Sequence, residues 1–185
     1  MTNHETRIII AGFGGQGVVV AGNIIARACV IEGKNVAGMI SYGAEMRGGT
    51  ANATVIISDG EIASPFVERP DIAIIMNQPS LDKFEEMIVS RGLAVLNTSL
   101  VDRAVQRQDL DVVEIEASRI AHRLGNVRVA NIVAVGAFAA KTNLLEMSSL
   151  ARGIEDLFST KKAGLVDINK EALQQGAQMM VSKNF

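Results

Sequence analysis

The feature that most restricts this chain is a strand, a glycine turn and a helix in immediate succession. Arg7 to Ala11 is an apolar run of β-forming residues, and Gly12-Phe13-Gly14-Gly15-Gln16-Gly17 follows it at once. From about Gly15 to Glu32 the apolar spacing turns helical. Val18, Val19, Gly22, Ile25, Ala26, Cys29 and Val30 fall roughly on one side, and Gly33 supplies a C-terminal stop. Asn35 to Ile40 reads as a second strand. A strand–helix–strand unit of this kind is normally parallel and right-handed, so the chain is expected to be α/β.

The rest of the sequence extends that pattern. Ala51 to Ser58 is β-rich, and Asp59-Gly60 stands between it and Glu61-Ile62-Ala63-Ser64. An Asp-Gly pair in that setting predicts a hairpin, and with it a mixed sheet. Asp71 to Met76, Leu93 to Leu96 and Val112 to Ile115 read as further strands. Asn77-Gln78-Pro79-Ser80 opens a helix to about Ser90, and Ala117 to Leu124 is a short helix. Val129 to Lys141 is rich in Ala and Val, with only Asn131 polar before Lys141, and is long enough to be a buried helix. Two amphipathic helices close the chain, about Ser149 to Phe158 and Ile168 to Ser182, the last with Asp167 as N-cap. With no repeat and no linker, residues 1–185 form one domain. The predicted fold is a three-layer α/β/α sandwich with a mixed, mostly parallel sheet.

Composition excludes several classes of function. The formal net charge is −2, which argues against general nucleic-acid binding. Cys29 is the only cysteine, so neither an internal disulfide nor a cysteine-ligated cluster can form within the chain. Its place in a helix suits a small buried hydrophobe. The longest uncharged run, Ile8 to Ala26, is broken by glycines and does not read as a membrane span. No secretory signal is visible, and a cytoplasmic location is expected.

Two segments carry the chemistry. Gly12 to Gly17 matches the dinucleotide pattern G-x-G-x-x-G, after a strand and opening a helix. Dinucleotide binding also wants an acid at the end of the second strand to hold a ribose hydroxyl. That strand ends Met39-Ile40-Ser41, with no acid. An NAD(P)-binding Rossmann-like oxidoreductase is therefore an alternative without its ribose partner. The turn also suits close helix–strand packing, or the approach of another ligand or subunit.

The second segment is Ser41-Tyr42-Gly43-Ala44-Glu45-Met46-Arg47-Gly48-Gly49-Thr50. Core packing does not ask for that order. Glycines let the backbone approach a ligand closely, and Arg47 suits recognition of a carboxylate or phosphate. Loops after strand carboxyl ends line the crevice of open α/β sheets. Both segments follow strands taken as adjacent, so they are expected to meet there, joined by Asn77. No nucleophile–base pair and no metal-ligand set is evident. His122 and the acidic face of Asp82, Glu85 and Glu86 read as solvated. A cofactor-like turn without catalytic groups is what an accessory subunit would show.

Taken with Ser64-Pro65, these two segments resemble the gamma subunit of 2-oxoacid:ferredoxin (acceptor) oxidoreductases, a domain also fused into pyruvate:ferredoxin oxidoreductases. The resemblance spans essentially the whole chain and is most similar to the separate-subunit 2-oxoglutarate type. It implies a complex that oxidatively decarboxylates a 2-oxoacid with coenzyme A, giving acyl-CoA, CO2 and reduced ferredoxin. Thiamine diphosphate, Mg²⁺ and 4Fe–4S clusters would belong to alpha, beta and ferredoxin-like delta subunits. The isolated chain would then be inactive, with no catalytic residue, no metal and no tightly bound cofactor. It would contact coenzyme A or partner subunits through Gly12, Gly14, Gly15, Gln16 and Gly17. The companion loop would contribute Ser41, Tyr42, Gly43, Glu45, Met46, Arg47, Gly48 and Gly49, with Asn77 beside it.

Overall fold

The computed structural model describes residues 5–42, 50–159 and 163–181. Six strands form one sheet: β1 (Glu5–Phe13), β2 (Asn35–Tyr42), β3 (Thr50–Ser58), β4 (Ile72–Ile75), β5 (Leu93–Asn97) and β6 (Asp111–Ile115). Their order is β2-β3-β1-β4-β5-β6. β1, β4, β5 and β6 pair in parallel, and β3 runs antiparallel to both β1 and β2. The sheet is mixed and mostly parallel, as expected.

The helices are α1 (Val18–Ile31), α2 (Gln78–Phe84), α3 (Ala117–Arg123), α4 (Ala130–Thr142), α5 (Met147–Phe158) and α6 (Ala163–Val181). They make unequal layers. Side-chain alternation in β1 sends Ile8 and Ile10 into a core shared with α1, α3, α4, α5 and α6. Ile9 and Ala11 face a smaller core under Leu81 and Phe84 of α2. Each fully buried isoleucine contributes roughly 1.5–3 kcal/mol, so β1 is stabilised from both faces. Cys29 lies in the larger core, and burial first of all pushes its thiol up to about 12.

Two helices show how local sequence sets the architecture. α1 ends where predicted: Gly33, at φ 72°, lets the Lys34 amide reach the Cys29 carbonyl and its own amide reach Val30. α4 is buried along Ala130–Ala139, as its all-round apolar character requires. α6 crosses it where Gly136 faces the Leu173 carbonyl and Gly176 faces the Val133 carbonyl, with no room for a Cβ at either point.

Four expectations are corrected. Residues 61–64 form no strand after Asp59-Gly60. β3 is already hydrogen-bonded on both sides and offers no free edge, and the Gly60 amide closes locally on the Ser58 hydroxyl at 3.0 Å. β1 and β2 are not neighbours, because β3 returns between them and makes the sheet mixed. α2 stops at Phe84 and continues only as a 3-10 turn over Glu85–Met87. α6 starts at Ala163, where Leu165, Val166 and Ile168 already pack on the core, so Asp167 lies inside the helix and not at its cap.

Candidate ligand site at the carboxyl edge of the sheet

β1, β4 and β5 end side by side at Phe13, Ile75 and Asn97. The glycine turn rises from the first of them. The Gln16 amide donates to the Phe13 carbonyl at 3.1 Å and closes the turn. Gly15 sits at φ 96° and Gly17 at φ 73°, a left-handed region in which a side chain would be strained.

The glycines divide by role. A Cβ on Gly12 would meet Gln16 Oε1 at 2.7 Å and Met76 Cβ at 3.1 Å, and one on Gly17 would meet Asn131 Nδ2 at 2.6 Å. These two permit packing. Around Gly14 and Gly15 the same position has no neighbour within 4 Å among the described residues. No described residue covers their backbone, which can be approached closely.

Gln16 locks the turn with its side chain. Oε1 accepts from the Phe13 amide at 2.6 Å and from Asn77 Nδ2 at 2.7 Å, while Nε2 donates to the Met76 carbonyl at 3.4 Å. Asn77 in turn caps α2, its Oδ1 accepting from the Ser80 amide at 3.0 Å. A Gln16–Asn77 hydrogen bond therefore joins the glycine turn after β1 to the residue that follows β4. It continues through residues that sequence reasoning did not single out. Asn97 Nδ2 donates to the same Met76 carbonyl at 3.2 Å and to the Ser118 hydroxyl at 2.9 Å. Asn131, 2% exposed, donates from Nδ2 to the Gly17 carbonyl at 2.8 Å. The signal for it was present: a lone polar residue in an apolar helix.

Electrostatics at this edge come from the backbone. Gly17 caps α1 without a side-chain hydrogen bond, and the first turn of α1 carries no acid. The helix end presents amides and about half a positive charge, and neither a capping side chain nor an acid of its own first turn offsets it. This arrangement favours an anionic group.

The other predicted residues divide in two. Ser41 and Tyr42 end β2, and their register partners Asn52 and Ala51 lie one strand away from Phe13, which pairs with Thr50. The two carboxyl ends share one sheet edge with β3 between them, about 10 Å apart at the usual strand spacing. Gly43, Glu45, Met46, Arg47, Gly48 and Gly49 lie outside the described residues.

Away from this edge, Glu85 is not solvated as expected; it is 2% exposed. Its carboxylate accepts from the amides of Gln106 at 2.5 Å and Arg107 at 3.0 Å, and from Arg103 Nη1 at 2.7 Å. Burial alone would raise this carboxyl, but the Arg107 amide, the Arg103 guanidinium and the Gln106 amide outweigh it, and the net shift is downward. Arg103 also holds Asp82, so the pair fastens the loop after β5 to α2. The role is structural.

The NAD(P) alternative finds no support. In dinucleotide-binding folds the second strand lies beside the first, whereas here the antiparallel β3 occupies that place.

Comparison with known proteins agrees with the geometry. The ketoisovalerate oxidoreductase subunit VorA of Methanothermobacter marburgensis is 36% identical over 174 residues, covering 94% of this chain and 36% of that protein. The chain thus spans about a third of the length of that relative. The 2-oxoglutarate synthase subunit KorC of Methanothermobacter thermautotrophicus is 32% identical over 188 residues and covers 98% of both chains. Among solved structures, the keto/oxoacid ferredoxin oxidoreductase gamma subunit from Geobacter sulfurreducens superposes with a TM-score of 0.82 at 28% identity, covering 96% of this chain and 99% of that one. Residues 7–179 match the pyruvate ferredoxin/flavodoxin oxidoreductase family, and the chain belongs to it.

Proposed function

We propose that this chain is the gamma subunit of a cytoplasmic 2-oxoacid:ferredoxin oxidoreductase. The complex converts a 2-oxoacid, coenzyme A and oxidised acceptor to acyl-CoA, CO2 and reduced acceptor. The observation that carries the reading is the end-to-end correspondence with KorC, a separate subunit of the same extent. That correspondence also favours 2-oxoglutarate as the oxoacid. The match to VorA makes a branched-chain oxoacid the competing substrate.

Within such a complex the chain binds and orients. The amides of Gly14, Gly15 and the first turn of α1 suit a phosphate of coenzyme A, and no described residue crowds Gly14 or Gly15. Arg47, which the resemblance gives as a contact residue, would supply a guanidinium to the same anionic group. Thiamine diphosphate, Mg²⁺ and 4Fe–4S clusters are assigned to the alpha, beta and ferredoxin-like delta subunits. Among the described residues no group of three or more His, Cys, Asp or Glu stands together to hold a metal.

The test is Arg47→Ala in the assembled enzyme. Loss of a charge-assisted hydrogen bond is worth about 1.5–3 kcal/mol. The KM for coenzyme A should rise roughly ten- to hundredfold while assembly and the KM for oxoacid hold. Kinetics unchanged in coenzyme A would overturn the assignment of this edge.

A further inference from the structure

α4 buries Ala130–Ala139, and Asn131 is the one polar side chain in that run. Its hydrogen bonding does not fit a stabilising role. Nδ2 donates to the Gly17 carbonyl at 2.8 Å, but that carbonyl already accepts from the Ala21 amide at 3.0 Å, the first bond of α1. Oδ1 is buried and meets no donor among the described residues. The side-chain amide cannot be reversed to find one: turned over, it would set Oδ1 against the Gly17 oxygen, acceptor against acceptor. An unpaired buried acceptor offsets what one extra donor on a satisfied carbonyl contributes. For stability alone, an apolar residue would serve this position at least as well.

We propose that Asn131 is a positioning residue for the ligand of the glycine turn. This rests on the reading that the turn binds a phosphate of coenzyme A. Side chains fasten the turn at its two ends. At the front, Gln16 Oε1 holds the Phe13 amide. At the back, Asn131 holds the carbonyl of Gly17, the left-handed residue (φ 73°, ψ 22°) at which the turn becomes α1. Gly14 and Gly15, whose amides a phosphate would meet, lie exposed between these two points. The Gly17–Val18 peptide is planar, so a clamp on its carbonyl also fixes its N–H dipole, which points out of the start of α1. Val18 is 2% exposed, so that dipole acts on an anion through its field, and contact falls to Gly14 and Gly15. The clamp fits closely. A Cβ on Gly17 would stand 2.6 Å from Asn131 Nδ2, 3.0 Å from Cγ and 3.4 Å from Oδ1, so the side-chain amide packs directly on the glycine. Without Asn131, Gly17 keeps its Ala21 bond but regains the backbone freedom of a glycine. The phosphate must then order the turn as it binds, which weakens binding and leaves the chemistry alone.

Asn131→Ala tests this. It removes the donor and the unpaired acceptor together, and Ala is the better helix former. The variant chain should melt within about 4 °C of wild type. In the assembled enzyme, the Kd for coenzyme A is read by isothermal titration calorimetry without oxoacid. That Kd and the KM for coenzyme A should both rise roughly three- to thirtyfold, the loss from a hydrogen bond loosened and not deleted. kcat and the KM for the oxoacid should hold. A variant that unfolds, fails to assemble or loses kcat makes Asn131 structural and overturns the proposal. Unchanged coenzyme A binding overturns it too, and Arg47→Ala then separates the two levels. If Arg47→Ala still raises the KM for coenzyme A, the reading of the turn stands and only the role of Asn131 falls. If neither substitution changes it, both fall.

Discussion

Replacing Gln16 by Leu tests how the sheet edge is held together. Leu keeps the volume and removes three hydrogen bonds. The Met76 carbonyl keeps Asn97 as a donor. The Phe13 amide is half-buried and regains water, at about 0.5–1 kcal/mol. Asn77 is 2% exposed, so its Nδ2 is left without a partner, at about 1–3 kcal/mol. The sum is about 1.5–4 kcal/mol, or about 3–16 °C in Tm for a domain of this size. Asn77→Ala removes the same bond and the cap on α2, which is worth about 1 kcal/mol by itself. Because both variants delete one shared interaction, the double variant should cost less than the sum of the singles, with a coupling of about 1–2 kcal/mol. Guanidinium denaturation of the four proteins, followed by circular dichroism at constant m-value, measures it. A Gln16→Leu chain within about 0.5 kcal/mol of wild type, or strictly additive costs, would refute the view that this bond joins the two strand ends.

Other consequences follow from the packing and charge of the fold. Gly136→Ala drives a methyl into the Leu173 carbonyl, and backbone cannot rotate aside as a side chain can. Overpacking of about 3 kcal/mol, offset by about 1 kcal/mol of helix propensity, should leave the chain about 2 kcal/mol less stable; a thermal melt at or above wild type contradicts the close crossing of α4 and α6. Glu85 has its folded pKa depressed, so its stabilisation is present above the unfolded value of about 4.5 and is lost as pH falls through the folded value. Glu85→Gln should therefore cost about 2–4 kcal/mol near pH 7, and the gap to wild type should shrink below about pH 4.5. A gap that stays constant into that range would show that the carboxylate charge is not what holds Arg103 and the amides of residues 106 and 107.

Local signals in the sequence were enough for the elements they govern. The apolar run of β1, the glycine turn and the Gly33 stop act within a few residues of themselves, and the structure keeps all three. The length of the apolar Val129–Lys141 run favours a buried helix over a strand, and α4 is buried from Ala130 to Ala139. The insertion of β3 between β1 and β2 was not legible, because pairing partners are chosen by the whole sheet and not by either strand. That same choice removed the edge that an Asp59-Gly60 hairpin would have needed. Glu85 misled for a related reason: its neighbours in the chain suggest a wet face, and its partners come from residues 103–107, brought over by tertiary structure. At the candidate site the turn itself was readable. Of its supports only Asn131 left a mark, as a lone polar residue in an apolar run, and the roles of Asn97 and Asn131 arise only when β5 and α4 are set against Met76 and Gly17.

The central claim is that this chain serves a 2-oxoacid:acceptor oxidoreductase, and the most direct measurement is anaerobic isolation of the tagged chain from its source cells followed by assay. The account predicts that thiamine-diphosphate and iron–sulfur subunits come with it, and that the preparation reduces ferredoxin only when a 2-oxoacid and coenzyme A are both supplied, with acyl-CoA as product. Recovery of the chain alone, with no oxoacid-dependent reduction of any acceptor, would contradict it.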